Sequence, residues 1–325
     1  MQDAFGRKID YLRLSVTDRC PARCIYCVPP EGPQWISHNE IMRFEEFLRL
    51  ARLSAELGIT KIKVTGGEAL SRRGLVPFME ALIKTNGIEK VSLTTNAVLL
   101  GGHIDALLKA GLKFMNISIN TLNEDVFEKI MRINVFNDVM ANLDAALLSG
   151  MNIKINCIPI EGYNNDDILP VAFIAKNHNA AVRFIELMPL GLAGGLTPVP
   201  HNVTFAVLEK EFGPLVPCEE HLGEGPARYY SVRGFKGRIG FISAVSHQFC
   251  AFCNRLRLTS TGKIKPCLAC PVEIDIKTPL RNGADDAALK KIIEGAVMQK
   301  PLSHNFIKDK TQSGYVPVEM NKVGG

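Results

Sequence analysis

Three cysteines lie within eight residues near the start of the chain, in the segment Cys20-Pro-Ala-Arg-Cys24-Ile-Tyr-Cys27. Thiolates are soft, anionic ligands that suit iron–sulfur clusters, zinc and copper(I). A four-iron cluster needs four ligands, and this C-x3-C-x2-C loop supplies three, which would leave one iron open to a small molecule. Zinc and a disulfide are the alternatives, but zinc sites usually pair cysteines as C-x2-C twice, and a disulfide would leave one thiol over. The spacing therefore favours a catalytic iron–sulfur cluster.

A second cysteine group lies near the C-terminus, where Cys250-Ala-Phe-Cys253 is followed, after thirteen residues, by Cys267-Leu-Ala-Cys270. The repeated C-x2-C spacing by itself is typical of a structural zinc ribbon. The remaining cysteines, at positions 157 and 218, have no cysteine or histidine neighbours and are interpreted as packing residues.

The sequence around the second cysteine group is basic. Between Gly225 and Val272 there is no Asp or Glu, and there are eight Lys or Arg residues. Arg255 and Arg257 alternate just beyond Cys253, so on an extended chain both point the same way. Guanidinium forks suit phosphate oxygens, which makes an anion site the favoured interpretation. A solvated basic face and an RNA-binding zinc ribbon are the alternatives.

Between the two cysteine groups, short apolar runs alternate with segments of helical periodicity. Strands are predicted at 11–17, 59–64, 89–94, 113–119, 152–158 and 181–187. Helices are predicted at 40–57, 74–85, 102–110, 123–149 with a break near Asn134, and 166–178. Such alternation implies right-handed crossovers and a parallel sheet. Six units are too few for a closed eight-stranded barrel, so the α/β pattern predicts an open, partial (βα)6 TIM-like barrel.

Polar side chains inside the predicted strands favour that barrel over a flat, doubly wound sheet. Lys61 shares a face with Lys63 and Lys154 with Asn156, and Glu186 lies in the sixth strand with Arg183 on its opposite face. Strands covered by helices on both faces should be almost purely apolar. Alternating charges therefore indicate a polar lumen, and the alternative is that they lie at strand ends in water.

Glycine and polar residues follow several predicted strands at their carboxyl ends, where α/β barrels place their active sites. They are the first cysteine loop, Thr65-Gly66-Gly67-Glu68, Thr94-Thr95-Asn96, Ser118-Ile119-Asn120 and Met188. Gly66 and Gly67 would let a ligand approach the backbone closely. Glu68 is a candidate for holding an ammonium group, with a solvated surface carboxylate as the alternative.

The composition changes after Met188, and we predict a boundary there between a barrel of residues 1–190 and a C-terminal region of residues 191–325. That region should contain a loop at 189–200, a helix at 203–212, an antiparallel hairpin of residues 229–233 and 238–245, and a helix at 285–297. The net charge of +5 does not by itself imply a nucleic-acid partner. No apolar run approaches the length of a membrane span, and the N-terminus lacks a signal peptide's apolar region. A cytoplasmic protein in a reducing compartment, with no membrane or nucleic-acid partner, is expected.

Both cysteine groups and the rim residues together resemble one family, the radical S-adenosylmethionine (SAM) GTP 3′,8-cyclases of molybdenum cofactor biosynthesis. The segment Leu-Arg-Leu-Ser-Val-Thr-Asp-Arg before Cys20 is similar to the family's N-terminal signature. The segment Phe249-Cys-Ala-Phe-Cys-Asn-Arg-Leu-Arg-Leu258 is similar to its C-terminal signature. The resemblance covers nearly the whole chain, including the terminal Gly324-Gly325, which in the family is thought to reach into the active site.

The resemblance implies a lyase that converts GTP to 3′,8-cyclo-7,8-dihydro-GTP, with SAM and two 4Fe–4S clusters as cofactors. A 5′-deoxyadenosyl radical formed from SAM would take the C3′ hydrogen of GTP, and the resulting C3′ radical would attack C8 of guanine. Its partners would be GTP, an electron donor, and a downstream cyclic pyranopterin monophosphate synthase that acts on the product.

The resemblance also assigns residues. The metal ligands would be Cys20, Cys24 and Cys27 for the SAM cluster, and Cys250, Cys253 and Cys267 for an auxiliary cluster that meets guanine. The SAM contacts would be Tyr26, Gly66, Gly67, Glu68, Ser118, Asn156 and Met188. The catalytic and substrate-binding residues would be Arg13, Lys154, Arg255 and Arg257, with Lys63 and Thr94 as further substrate contacts.

The chain differs from the family pattern at four positions. Ala69 follows Gly-Gly-Glu where Pro is usual, Lys63 stands where Arg is common, and Asn120 replaces a usual Asp. Cys270 is extra: it would either close the auxiliary cluster as a fourth ligand or leave an iron open for guanine, and the acid-free stretch favours the open form. Another radical SAM enzyme with an auxiliary cluster and a zinc-ribbon RNA-binding protein are the alternative functions.

Overall fold

The structure is a computed structural model that describes residues 1–219, 223, 225–304, 306 and 320–324. Its first half repeats strand and helix six times. The strands are β1 (Tyr11–Ser15), β2 (Lys61–Thr65), β3 (Lys90–Thr95), β4 (Phe114–Ser118), β5 (Asn152–Cys157) and β6 (Ala181–Ile185). The helices are α1 (Phe44–Glu56), α2 (Leu75–Ile83), α3 (Ile104–Lys109), α4 (Glu124–Met131), α5 (Phe136–Leu148) and α6 (Ile168–Asn177). The predicted break near Asn134 is confirmed by the gap between α4 and α5.

The second half adds short strands and four helices. The strands are β7 (Val216–Pro217), β8 (Arg228–Ser231), β9 (Arg238–Ile242), β10 (Arg255–Leu258), β11 (Lys263–Lys265) and β12 (Ile274–Asp275). The helices are α7 (His201–Phe212), α8 (Lys277–Arg281), α9 (Asp286–Met298) and α10 (Met320–Val323). Side-chain caps mark some helix starts: Asn123 accepts from Val126 N (3.1 Å) and Asp285 from Ala288 N (2.7 Å), each satisfying a first-turn amide.

All twelve strands form one sheet in the order β12-β11-β10-β1-β2-β3-β4-β5-β6-β9-β8-β7. β1 to β6 are parallel neighbours in chain order, as successive βαβ units produce. In the part of the chain that the structure describes, β12 and β7 are the two edges and do not pair, so the barrel is open. The predicted partial barrel is confirmed.

The C-terminal strands extend both ends of this sheet. The predicted hairpin forms from β8 and β9, and β9 also lies parallel to β6, while β10 lies parallel to β1. Neither parallel pairing was expected from the sequence. The sheet is therefore continuous across the boundary predicted near residue 190, which separates two stretches of sequence without separating two sheets.

The apolar core lies between the outer face of the sheet and the helices. Leu12, Leu14, Ile62 and Val64 alternate with the polar positions of β1 and β2, and all four are buried. Cys157 on β5 is also fully buried in this core, as a packing residue should be. None of the described helices is long and apolar enough to cross a membrane.

The inner face of the sheet carries cations in register. Arg257 of β10 pairs with Arg13 of β1, which pairs in turn with Lys63 of β2. Residues paired across neighbouring strands point to the same face, so these three side chains stand side by side. They line a cavity, which confirms the polar lumen predicted from the alternating charges.

Candidate active site in the barrel lumen

One cavity of about 360 Å³ occupies the lumen, and both cysteine groups reach it. Its lining includes Cys20, Cys24, Cys27, Cys250, Cys253 and Cys267. The first group follows the carboxyl end of β1, whereas Cys253 precedes the amino end of β10, which lies parallel to β1. At 3.2–3.4 Å per residue, a five-residue strand separates the two ends by roughly 15 Å. A small ligand therefore fits between the two thiol groups.

The first cysteine loop is held against the end of α4. Arg23 N donates to Met131 O (2.9 Å) and Ile25 N to Ile130 O (3.0 Å). Burial raises the pKa of Cys20 to about 12 and that of Cys24 to about 11, so bare thiols would stay protonated here. Three thiols on one fixed loop, facing a cavity, fit a cluster whose irons would replace those protons.

The second cysteine group sits in a cationic setting. Burial alone would raise the pKa of Cys253, but the charges of Arg255 and Lys300 outweigh it and lower that pKa to about 6. Cys270 is not among the described residues that line the cavity, and its sulfur accepts a hydrogen bond from Val272 N (3.4 Å). The spacing of a four-cysteine ribbon is thus not matched by four thiols facing the cavity together.

The thiols are not gathered around a single point. Among the residues that the structure describes, no three His, Cys, Asp or Glu side chains converge as ligands of one metal ion. In a cubic cluster each cysteine binds a different iron, so its ligands need not converge in that way. The arrangement fits a cluster better than a zinc ion at both ends of the lumen.

The residues assigned to SAM lie around the first cysteine loop. Tyr26, Gly66, Gly67, Ser118, Asn156 and Met188 all line the cavity. The Tyr26 hydroxyl accepts a hydrogen bond from Asn120 Nδ2 (2.9 Å), and Asn120 Oδ1 accepts from Ile158 N (2.9 Å). Asn120 therefore fixes the tyrosine against the end of β5, a role for which its amide needs no charge.

The Gly-Gly-Glu segment has a different role from the one expected. A Cβ at Gly66 would lie 2.7 Å from Thr17 O, and one at Gly67 would lie 2.5 Å from Arg19 O. The close approach that requires these glycines is thus made by the chain entering the cysteine loop, rather than by a ligand. The two glycines let the loops after β1 and β2 pack together.

Glu68 is also turned away from the expected role. It is fully buried, is not among the described residues lining the cavity, and accepts hydrogen bonds from three protein donors. The donors are Leu70 N (3.1 Å), Thr95 Oγ1 (2.9 Å) and Asn96 N (2.7 Å). With its oxygens so occupied, Glu68 ties the end of β2 to the end of β3, and the ammonium group assigned to it finds no free oxygen.

Cations dominate the lining of the cavity. The described lining residues include nine Lys or Arg side chains and a single carboxylate, Glu186. The cations are Arg13, Lys61, Lys63, Lys90, Lys154, Arg183, Arg255, Arg257 and Lys300. Burial, followed by the neighbouring charges, lowers the pKa of Arg13 to about 10 and holds the pKa of Lys63 and Arg257 well below its usual range. The lumen is built to receive an anion.

The basic C-terminal stretch divides into two parts. Arg255 and Arg257 extend along β10 into the cavity, as predicted. Lys263 and Lys265 instead pair with Asp275 (3.1 Å) and Glu273 (3.0 Å) on the outer hairpin. The predicted anion site is therefore narrower than the acid-free stretch.

Arg183 is a lining residue that sequence reasoning placed on the wrong face. It was expected opposite Glu186, but β6 ends at Ile185, the chain turns, and both side chains reach the cavity. The guanidinium of Arg183 is buried and donates to Asn116 Oδ1 (2.9 Å) and to Asn156 Oδ1. An Arg inside the apolar run Ala181–Ile185 was the available signal.

The C-terminal end reaches the same cavity. Arg257 Nη1 donates to Gly324 O (2.6 Å), and Asn321 Nδ2 donates to Asp18 O (3.2 Å) beside the first cysteine loop. Gly324 has a φ of 78°, and a Cβ there would lie 2.5 Å from Thr65 Cγ2. Gly325, expected to enter the site with Gly324, lies outside the described residues.

An open (βα)6 barrel with a three-cysteine loop after β1 defines the radical SAM class. The Radical SAM superfamily pattern matches residues 14–173, and the Molybdenum Cofactor Synthesis C pattern matches residues 180–306. The fold is also similar to that of SuiB from Streptococcus suis, solved bound to S-adenosylmethionine. That similarity has a TM-score of 0.64 at 14% identity and covers 97% of this chain and 78% of the other. Radical SAM enzymes use SAM and a 4Fe–4S cluster, and the first cysteine loop is the part of this chain that fits them.

Full-length relatives narrow the class to a family. The chain is 41% identical over 333 residues to a GTP 3′,8-cyclase from Heliobacterium modesticaldum, with 100% of both chains covered. It is 43% identical over 311 residues to a GTP 3′,8-cyclase from Desulforamulus reducens, covering 94% of this chain and 95% of the relative. The chain belongs to the GTP 3′,8-cyclase family.

Proposed function

We propose that the lumen binds SAM at the carboxyl ends of the strands and GTP beneath it. The enzyme, a lyase, converts GTP to 3′,8-cyclo-7,8-dihydro-GTP in the first step of molybdenum cofactor biosynthesis. One observation carries the substrate assignment: nine described cations and one carboxylate line a cavity that both cysteine groups reach. A triphosphate is the polyanion that would offset their mutual repulsion.

Cys20, Cys24 and Cys27 hold the first cluster, which supplies the electron that cleaves SAM and so provides the 5′-deoxyadenosyl radical. The chain positions the reactants. Tyr26, fixed by Asn120, lines the SAM end together with Ser118 and Met188. Burial of the cysteine loop keeps bulk water from the carbon–sulfur bond that breaks, which protects a reactive species from side reactions.

The triphosphate site is assigned to the cations in the middle of the lumen. Arg13, Lys63 and Arg257 form one row across three strands, and Arg183 lies on the opposite wall beside Asn156. Lys154 stands 5.7 Å from the ring centre of Tyr229, a cation–π distance that limits where its ammonium group can go. Thr94 lies between the two walls and presents a hydroxyl to the ligand. The forks of the arginines suit phosphate oxygens, whereas Lys63 and Lys154 act as point charges.

We further propose that Cys250, Cys253 and Cys267 hold a second 4Fe–4S cluster whose open iron meets the guanine of GTP. The lowered pKa of Cys253 supports a thiolate at this end of the lumen. The orientation of Cys270, bonded to Val272 N, supports three protein ligands instead of four. Arg255 packs over Phe249 at 4.8 Å from the ring centre, which keeps its charge beside the cluster ligands.

The reaction also needs partners outside the chain. Reductive cleavage of SAM consumes an electron, so an external electron donor is part of the proposal. The product still requires rearrangement of its new carbon–carbon-linked ring, and we assign that step to a cyclic pyranopterin monophosphate synthase. The basis for both partners is the chemistry of the reaction.

The test is anaerobic reconstitution with iron and sulfide, followed by addition of dithionite, SAM and GTP. Formation of 5′-deoxyadenosine together with the cyclised GTP, identified by mass spectrometry, is expected. ATP is the matched control, since it offers the same triphosphate and a different base. GTP labelled with deuterium at C3′ should transfer that deuterium to 5′-deoxyadenosine. SAM cleavage without label transfer would exclude the assigned substrate, and a protein that retains zinc and no sulfide would exclude the enzyme.

A further inference from the structure

Two buried cations from opposite ends of the chain bind the backbone around the second cysteine group. Arg7, in the segment before β1, donates through Nη1 to Cys250 O (2.8 Å). Lys300, just after α9, donates through Nζ to Arg255 O (2.8 Å) and to Pro266 O (2.7 Å). These carbonyls belong to or flank the segments that carry the three cysteines. Neither cation was singled out by its sequence.

Arg7 is fixed before it reaches Cys250. Its Nε donates to Asp3 Oδ2 (2.6 Å), and both side chains are buried. Its remaining donors reach Leu302 O (3.0 Å) and Pro301 O (2.7 Å). One guanidinium therefore joins the N-terminal segment, the first cysteine of the second group and the turn after Lys300. A planar fork with five donors is suited to such a junction.

Lys300 is more deeply enclosed, with 3% of its surface exposed. An ammonium group has three donors. Two are used on the carbonyls of Arg255 and Pro266, and the thiol of Cys253 lies within hydrogen-bonding reach of the same group. Pro266 directly precedes Cys267, so one side chain touches both halves of the cysteine pair that closes the site. Burying a lysine is costly unless its donors are satisfied, and here all three have acceptors.

We propose that Arg7 and Lys300 are positioning residues of the second cluster. Arg7 sets the place of Cys250, and Lys300 holds Cys253 and Cys267 at a fixed separation while adding a positive charge beside the cluster. The inference rests on the proposed second cluster and names the residues that keep it assembled. They act through the backbone and the cysteines, without contact to SAM or GTP.

The position of the two cations predicts a loss confined to one end of the lumen. Outer residues that orient metal ligands typically change metal affinity by about 10–100-fold when removed. Lys300→Met preserves most of the side-chain volume and removes the charge and the donors. It should therefore raise the rate of iron release from the second cluster to a chelator by about tenfold or more. A nearby positive charge favours the reduced, more negative cluster, so Lys300→Met should also make its midpoint potential more negative.

The experiment is done in the full-length chain with Cys24→Ala, so that the second cluster alone is measured. Iron and sulfide content, chelator-dependent iron release and the midpoint potential are compared for the parent, Lys300→Met, Lys300→Arg and Arg7→Met. Lys300→Arg keeps the charge and should hold the potential closer to the parent than Lys300→Met does. Arg7→Met should speed iron release with a smaller shift in potential, because Arg7 touches Cys250 only through its carbonyl.

Lys277 provides the matched control. It is also a buried lysine that donates to a backbone carbonyl, Glu40 O (3.0 Å), and it is not among the described residues lining the cavity. Lys277→Met should leave cluster content and potential as in the parent. In the chain with all cysteines intact, Lys300→Met should still cleave SAM at the first cluster.

Parental iron release and potential in both Lys300→Met and Arg7→Met would overturn the inference. A parent that carries no second cluster would instead overturn the proposed function on which it rests, so the two failures are distinguishable. If Lys300→Met does not fold, Arg7→Met and Lys300→Arg still decide the question.

Discussion

Replacing Arg13 with Met should weaken GTP binding and at the same time stabilise the free protein. Arg13 stands between Arg257 and Lys63 on the inner face of the sheet. Burial, with repulsion from Arg255 and Arg183, lowers its pKa from 12.5 to about 10. A base whose pKa is lowered on folding destabilises the folded state at every pH below that lowered value. The cost is therefore fully present at neutral pH and disappears only as the pH rises through the interval between the two values.

The size of both effects follows from the same charge. A shift of about 2.5 units at 1.36 kcal/mol each makes charged Arg13 cost at most about 3 kcal/mol, and water in the lumen reduces this. Met carries no such cost, so Arg13→Met should raise the midpoint of thermal unfolding by a few degrees. A hydrogen bond to a charged group contributes about 1.5–3 kcal/mol, so loss of the Arg13–phosphate contact should raise the Kd for GTP about 10–100-fold.

The assay is GTP binding to the anaerobically reconstituted protein, together with thermal unfolding of the protein without GTP. Arg52→Met is the matched control because Arg52 is exposed and pairs with Glu56 and Asp286 outside the lumen. It should leave the Kd unchanged and stability within about 1 kcal/mol of the parent. An Arg13→Met protein that binds GTP as tightly as the parent, or that unfolds several degrees lower, would show that the lumen charges do not await a polyanion.

Four further changes test other parts of the site. Cys24→Ala should abolish 5′-deoxyadenosine formation with dithionite while the chain stays folded, and cleavage at the parent rate would disprove the cluster assignment. Cys267→Ser should lose the second cluster and cyclisation but keep basal SAM cleavage, whereas Cys270→Ser should keep two clusters and GTP-dependent activity; electron–nuclear coupling to isotopically labelled GTP nitrogen that arises only in Cys270→Ser would make Cys270 a fourth ligand. Gly324→Ala places a methyl group where a Cβ meets Thr65 Cγ2 at 2.5 Å, at a φ of 78°, so product formation should fall more than SAM binding, and unchanged GTP conversion would contradict this. Because burial and neighbouring charges lower the pKa of Lys63, GTP binding should take up a proton and weaken between about pH 7 and about pH 9, which calorimetry in two buffers of different ionisation enthalpy would detect or exclude.

The barrel was predictable because each of its strands is bounded by local signals. Apolar runs such as Tyr11–Ser15 and Phe114–Ser118 are followed by segments of helical periodicity, and neighbouring strands are consecutive in sequence. The pairing of β10 with β1 had no such signal, because its two strands are far apart in the chain. Four residues, Arg255–Leu258, are also too short to distinguish a parallel edge strand from a turn.

The candidate site was predictable where residue type alone decides the chemistry. Thiols in a fixed spacing and arginines in an acid-free stretch indicate their ligands without knowledge of the fold. Glu68 and Arg183 were misplaced because the direction of a side chain depends on where a strand ends. Glu68 turns under the rim to accept from Thr95 and Asn96, while Arg183 turns into the lumen. Arg7 and Lys300 bind backbone carbonyls, which leave no trace in the sequence.

The buried cations of this chain fall into two kinds, and the difference separates structure from function. Lys277 and Lys265 are matched by Glu40 and Glu273, as stability requires of a buried charge. Lys63 forms no ion pair among the described residues, and its neighbours are themselves cations. Such a site is destabilising unless something else supplies the opposite charge. Local rules of folding are expected to fail at functional positions, and here they fail along the row of cations that faces both cysteine groups.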